Sequence, residues 1–327
     1  MNHGGIKDKN IIDFSISVSP LIPNWIDKVF EDSKDNLNKY TYVEWIEEDF
    51  KKIFGKNSVI LSGATESFHI IGHVIMKDSI VIIPTPNYTE YERIAKFNNN
   101  EIVKVDSLKF GGYTEEFYDY LLKYIIKIRE KTNKKIIFIT GNPNNPTGQF
   151  VRLAEFTKKL LEYDILIIYD EAFIDFSEDN PEIIDETIQI RTFTKSFGIP
   201  GIRVGYVISS KYTEEFLKYR QPWNIGVLGY SFLENLLKND FLNDLKKMRI
   251  YIKKEINKFK EYMSYCTQTN YFTIKTDPKK FLEKSKKYGI YVRDTSDMGL
   301  NNHVRIGIKN NKDNEFLLNF LRKELKK

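Results

Sequence analysis

From residue 59 to residue 209 the chain alternates short apolar runs with amphipathic stretches of helical length, the latter at residues 66–76, 89–98, 115–131 and 153–163. This alternation commits the segment to a mainly parallel sheet with helices packed on it. The apolar runs at 135–140 and 164–170 are continuous, as expected for central strands buried on both faces. The second ends in Asp170 and Glu171, at a strand tip where parallel sheets carry their functional groups. From about residue 221 the pattern changes to long charged helices through residue 263, then to strands near 271–274, 290–292 and 304–308. We therefore expect an N-terminal arm over residues 1–23, a large domain over 24–222 and a small α/β domain over 223–327. A chain of 327 residues buries a large core.

Within this frame one lysine stands apart from the rest. Any single member of the 50 Lys and Arg is by default a solvated surface group. Lys195, in Arg191-Thr-Phe-Thr-Lys195-Ser-Phe-Gly198, is flanked by the hydroxyls of Thr192 and Thr194, and Arg203 follows in Gly201-Ile-Arg203-Val-Gly205. The planar guanidinium of arginine clamps phosphates. An amine beside a phosphate site points to pyridoxal phosphate, whose aldehyde condenses with lysine and whose ring acts as an electron sink. That ring needs a carboxylate at its nitrogen, and Asp170 is the candidate. Taken alone, Asp170 suits a helix cap or a metal ligand equally well. The turn Gly141-Asn-Pro-Asn-Asn145-Pro-Thr-Gly148 is stiffened by two prolines and can aim the Asn145 amide at the phenolic oxygen of the cofactor, although such segments are also ordinary loops. In Leu61-Ser-Gly-Ala64-Thr65-Glu66-Ser67, small residues open a helix. Ala64 and Thr65 are phosphate-cradle candidates there, and a helix capped with Glu66 in its first turn is compatible with that role.

Taken in order, Ser-Gly-Ala-Thr-Glu at 62–66, Asn-Asn-Pro-Thr-Gly at 144–148, Asp-Glu-Ala-Phe at 170–173, Thr-Phe-Thr-Lys-Ser-Phe-Gly at 192–198 and Gly-Ile-Arg-Val-Gly at 201–205 resemble the fold-type I pyridoxal-phosphate enzymes, which share the aspartate aminotransferase-like fold. The resemblance covers nearly the whole chain. It is strongest to the branch that holds histidinol-phosphate aminotransferase and the cobalamin-pathway L-threonine-O-3-phosphate decarboxylase. It implies that Lys195 forms the Schiff base, Asp170 pairs the ring nitrogen, Asn145 contacts the phenolic oxygen and Tyr88 stacks on the pyridine, although Tyr88 also suits a core position. It further implies that Tyr40 reaches the cofactor phosphate of a partner subunit, so that a homodimer shares its active sites. Arg305 and Arg293 become anion clamps for a phosphorylated amino acid or amino alcohol, with a plain salt bridge as the alternative for Arg293.

The chain departs from the aminotransferase pattern at Phe173, where that group usually carries a tyrosine; a phenyl ring cannot donate a hydrogen bond. The opening Asn2-His3-Gly-Gly5 followed by Asp13-Phe-Ser15 resembles the decarboxylase group, in which the arm folds over the site and the histidine, here His3, lies near the substrate phosphate. Together these two features favour decarboxylation over transamination. A broad-specificity amino-acid aminotransferase is the third possibility.

The net charge of +5, with lysines alternating with glutamates, reads as solvated helix faces and not as a nucleic-acid surface. The single cysteine, Cys266, excludes an intrachain disulfide and argues against a cysteine-cluster metal site. No apolar run approaches membrane-spanning length and no secretory segment is evident, so a cytoplasmic enzyme is expected. Neither G-x-G-x-x-G nor G-x-x-x-x-G-K-[ST] occurs, which removes the usual nucleotide-binding alternative. A catalytically idle protein with this fold would have no need of Lys195, Asp170, Asn145 and Arg203 together.

Overall fold

The structure is a computed structural model that describes residues 4–179 and 183–325; His3 lies outside the described residues. Among the described residues, twelve strands form three sheets. In chain order they are β1 (Ile12–Asp13), β2 (Ser58–Leu61), β3 (Ser79–Thr85), β4 (Glu101–Asp106), β5 (Lys135–Gly141), β6 (Leu166–Asp170), β7 (Ile188–Thr192), β8 (Gly205–Ile208), β9 (Tyr271–Lys275), β10 (Ile290–Tyr291), β11 (Arg293–Asp294) and β12 (His303–Gly307). The largest sheet has the order β2-β8-β7-β6-β5-β3-β4. All its strands run parallel except β8, which is antiparallel to both neighbours. The expected mainly parallel sheet is therefore present, and its C-terminal edge gathers Gly141, Asp170 and Thr192.

The period of two in a strand explains why the central runs are continuously apolar. Ile137, Ile139 and Ile168 face one layer, beside Ile71 and Ile94. Ile136, Phe138 and Ile167 face the other, against Phe117 and Leu160 of the helices Glu115–Arg129 and Ala154–Glu162. The stretch expected as one helix over 66–76 starts earlier, at Gly63, and changes after Ile70 into a π-helical turn over Ile71–Ile75 that closes with Met76 N–H donating to Ile71 O. The stretch expected as one strand over 290–292 is split at Val292. β10 pairs in parallel with β1 of the arm, and β11 pairs antiparallel with β12.

Helix Val227–Lys238 packs on helix Ile26–Lys34, with Trp25 and Phe232 ring centroids 5.4 Å apart and Asn235 Nδ2 donating to Asp32 Oδ2 at 3.0 Å. Residues on both sides of the proposed division at 222 and 223 thus share one apolar core. The arm is tied to both regions. Phe14 N–H donates to Tyr291 O at 2.8 Å, and Ser19 N–H donates to Lys195 O at 2.7 Å. The chain therefore passes across the space between the large sheet and the C-terminal sheet, and that space is the cleft. No helix among the described residues is long and apolar enough to cross a membrane.

Candidate active site

The floor of the cleft is made by the tips of β5, β6 and β7. Asp170, at the end of β6, is 8% exposed. Its Oδ2 accepts from Tyr91 Oη at 2.7 Å and its Oδ1 from Ala172 N–H at 3.0 Å, and among the described residues it makes no ion pair. Burial pushes this carboxyl above its ordinary range, while the Tyr91 and Ala172 donors pull it back. A buried carboxylate with two donors and no ion pair has the chemistry to accept a protonated ring nitrogen.

After β7 the chain turns into the short helix Phe193–Ser196, capped by Thr192, whose Oγ1 accepts from Thr194 N–H at 3.3 Å. The Lys195 amine approaches the Phe173 ring at 5.8 Å and has no hydrogen-bond partner among the described residues. Desolvation, then Arg305 and Arg203, lower its pKa from 10.5 to about 8. At neutral pH that raises the neutral, nucleophilic fraction by roughly two orders of magnitude.

Across the floor, the Asn145 turn is held by its neighbour. Asn144 Oδ1 accepts from Thr147 N–H at 3.1 Å and from Thr147 Oγ1 at 2.9 Å, and Tyr271 Oη donates to Asn144 O at 2.7 Å. Asn145 Oδ1 accepts from Arg305 Nη1, which leaves its Nδ2 donor without a partner among the described residues. At one end of the cleft, helix Gly63–Ile70 begins with small residues. Gly63 has φ 67°, and a Cβ there would stand 2.9 Å from Arg203 Nη2, so a side chain would close the space where the guanidinium lies. Arg203 Nη2 donates to Thr65 Oγ1 at 3.3 Å. Glu66 accepts from Ser62 N–H at 2.6 Å and from Gln221 N–H at 3.0 Å, so the helix start is capped as well as open to an anion.

Tyr88 lines the cleft, its phenol pushed up to about 12 chiefly by burial. The opposite wall belongs to the C-terminal sheet and the arm. Arg305, on β12 and 7% exposed, donates from Nη2 to Ser15 O at 3.1 Å and lies 5.0 Å from the Tyr271 ring centroid. Its Nε has no partner among the described residues, and burial lowers its pKa to about 10. Arg293 also reaches the cleft, but Asp297 holds its Nη2 with both carboxylate oxygens, at 2.8 and 2.7 Å. Phe173, 7% exposed, sits on the wall with its ring edge-on to Tyr271 at 4.9 Å. Gly4, Ser15 and Ser17 of the arm complete the cleft, whose volume is about 420 Å³, within the range of small-ligand sites.

The structure thus brings together Lys195, Asp170, Asn145, Ala64, Thr65, Tyr88, Thr192, Thr194, Arg203, Arg293 and Arg305. Tyr40 is not on this wall; it is 67% exposed and stacks on Trp223 at 4.5 Å. Sequence reasoning missed Tyr91, Asp297 and Tyr271. The first follows Tyr88 by three residues, and the second follows Arg293 by four, a spacing that invites an ion pair. Glu171, noted in the sequence only as the second acid of the β6 tip, forms a buried pair with Arg191 at 2.7 Å, locking β6 to the strand that leads to Lys195. The uncompensated carboxylate, the low-pKa amine, the free amide donor and the open helix start together fit pyridoxal phosphate.

Comparison with known proteins agrees with this chemistry. The family model described as aminotransferase class I and II matches residues 10–321. A protein of Caldanaerobacter subterraneus subsp. tengcongensis, provisionally named threonine-phosphate decarboxylase, is 30% identical over 98% of this chain and 93% of its own length. A histidinol-phosphate aminotransferase of Thermoanaerobacter pseudethanolicus is 28% identical over 92% of this chain and 88% of its own. The solved histidinol-phosphate aminotransferase of Clostridium acetobutylicum superposes with a TM-score of 0.81 at 25% identity, covering 95% of this chain and 98% of the other. The chain belongs to the aminotransferase class I and II family of pyridoxal-phosphate-dependent enzymes.

Proposed function

We propose that this enzyme decarboxylates a phosphorylated amino acid of the L-threonine-O-3-phosphate type. The observation that carries the reading is Phe173. It occupies the cleft wall beside Lys195 and offers no hydrogen bond, so Asn145 is left as the donor for the phenolic oxygen. The position of the arm across the cleft and the decarboxylase-named relative support the same reading.

The cofactor, when bound, supplies an electron sink for the pair left at the substrate Cα. The protein's own groups do the rest. Asp170 holds the proton at the ring nitrogen, Tyr88 packs on the ring, and Ala64, Thr65, Thr192, Thr194 and Arg203 hold the phosphate. Arg305, which lines the cleft and whose buried Nε has no partner among the described residues, grips an anionic group of the substrate and thereby sets which Cα substituent is lost. Lys195, close to neutral pH in its titration, delivers a proton to Cα. Gly4, Ser15, Ile16 and Ser17 of the arm shield that step from bulk water.

A second reading is transamination of histidinol phosphate. It is favoured by the closure of Arg293 on Asp297, which leaves one open arginine for a substrate with one anionic group. The two readings separate when the enzyme is incubated with L-threonine phosphate, and in parallel with histidinol phosphate plus 2-oxoglutarate. Carbon dioxide release without keto acid supports the first; glutamate formation from the second mixture overturns it.

We further propose a homodimer in which Tyr40 completes the partner's phosphate site. Tyr40, Trp223, Tyr42 and Trp45 form two stacked aromatic pairs that are largely exposed, with Trp45 at 71%. Light scattering at the mass of one chain would refute this.

A further inference from the structure

Tyr91 is buried at 1% exposure on helix Glu90–Ala95, behind the cleft, and its hydroxyl reaches Asp170 Oδ2 at 2.7 Å. The path to Asp170 runs past the end of β5. There the chain carries Gly141, and a Cβ at that position would stand 2.9 Å from Tyr91 Oη. A glycine at the tip of a central strand is costly to that strand, and here it provides the clearance the phenol needs. With Ala172 N–H on Oδ1, the carboxylate has a donor on each oxygen.

We propose that Tyr91 is a positioning residue of the active site, which orients Asp170 and keeps it an anion towards the ring nitrogen of the cofactor. The inference rests on the reading of Asp170 as that partner. The groups facing Asp170 are Lys195 from the turn after β7, Tyr88 beside the helix of Tyr91, Tyr271 from β9 and the adjoining Glu171. Burial opposes the anion, and Lys195 favours it. The Tyr91 phenol is driven far above its ordinary range by burial, so it stays protonated and acts only as a donor.

The test uses the cofactor-free chain with ¹³C-labelled aspartate carboxyls, the Asp170 resonance being identified by its loss in Asp170→Asn. In Tyr91→Phe the ring and its packing remain and one charge-assisted hydrogen bond goes, so the Asp170 midpoint should rise by about one pH unit or more. Gly141→Ala, which crowds the hydroxyl without removing it, should raise the midpoint in the same direction and serves where Tyr91→Phe folds poorly. After reconstitution, Tyr91→Phe should lose roughly 10-fold in kcat with KM changed less than about 2-fold, together with a shifted titration of the cofactor absorbance. An unchanged Asp170 midpoint in a folded Tyr91→Phe chain overturns the proposal. So does a raised midpoint with an unaltered cofactor titration and kcat, because the hydrogen bond would then not act on the ring nitrogen. The first readout is taken without cofactor or substrate, so it is independent of whether the enzyme decarboxylates or transaminates.

Discussion

The two walls of the cleft leave different groups open. On the large-sheet side, Asp170 has no ion pair, Lys195 has no hydrogen bond and Asn145 Nδ2 has no acceptor among the described residues. On the proposed reading each of these would meet one group of a single rigid cofactor. On the C-terminal side two arginines, both 7% exposed, behave oppositely: Arg305 has a buried Nε without a partner among the described residues, whereas Arg293 is held by Asp297. The chemistry is therefore prepared on one wall, and the choice of substrate is left to how the other wall is filled. A buried cation without a full set of partners is expensive unless a ligand completes it, which is why Arg305, more than Arg293, is the proposed anion site.

The contrast is broken most severely at the amine. Lys195→Ala should lower turnover by more than about 10³-fold and leave a protein that borohydride cannot fix to the cofactor. A variant that is still fixed would move the Schiff base to another lysine. Next in size, Arg305→Met should cost about 10² to 10³ in kcat/KM, because the substrate anion then enters the cleft unpaired. If steady-state kinetics show a loss below about 5-fold, Arg305 is structural and the wall assignment is reversed.

The cofactor-free chain offers a thermodynamic version of the same contrast. The folded pKa of Lys195, about 8, lies below its unfolded value of 10.5, so the unfolded state binds more protons between these limits and stability rises with pH across that window. The penalty is full below pH 8 and absent above about 10.5. Lys195→Met should therefore stabilise the cofactor-free protein by at most about 3 kcal/mol at pH 7, with the gain vanishing at high pH. Denaturant titrations of both chains at pH 7 and 10.5 would check it; an equal difference at both pH values contradicts the lowered pKa.

The smallest effect is expected at Asp297. Asp297→Asn frees Arg293, and the KM for a substrate carrying both carboxylate and phosphate should fall about 3- to 10-fold, with little change for a substrate bearing phosphate alone. Equal shifts for both substrates would show that Arg293 does not distinguish them.

Much of the first wall was legible because its residues sit in short contiguous motifs at strand ends. Asp170 and Thr192 end strands whose apolar runs announce them, and the Lys195 turn follows directly. The second wall was less so. Arg305 and Arg293 could be singled out as charges inside apolar stretches, but the Asp297 contact depends on a 3₁₀ turn over Ser296–Met298 that places the carboxylate back against its neighbour. The strand expected at 290–292 breaks because Val292 separates two partners, one of them the arm, and no local pattern carries information about a pairing with Ile12 and Asp13.

Local chemistry in the sequence by itself determined the parallel sheet, its strand tips and the identity of the cofactor, since period, turn residues and donor type act over a few neighbouring positions. Tertiary structure alone decided that Tyr91 reaches Asp170 past Gly141, that the arm spans the cleft to Lys195, and that of two similar arginines Arg293 is held by a carboxylate while the Arg305 Nε has no partner among the described residues. These depend on distances between segments far apart in the chain, and such distances are set by how the layers pack.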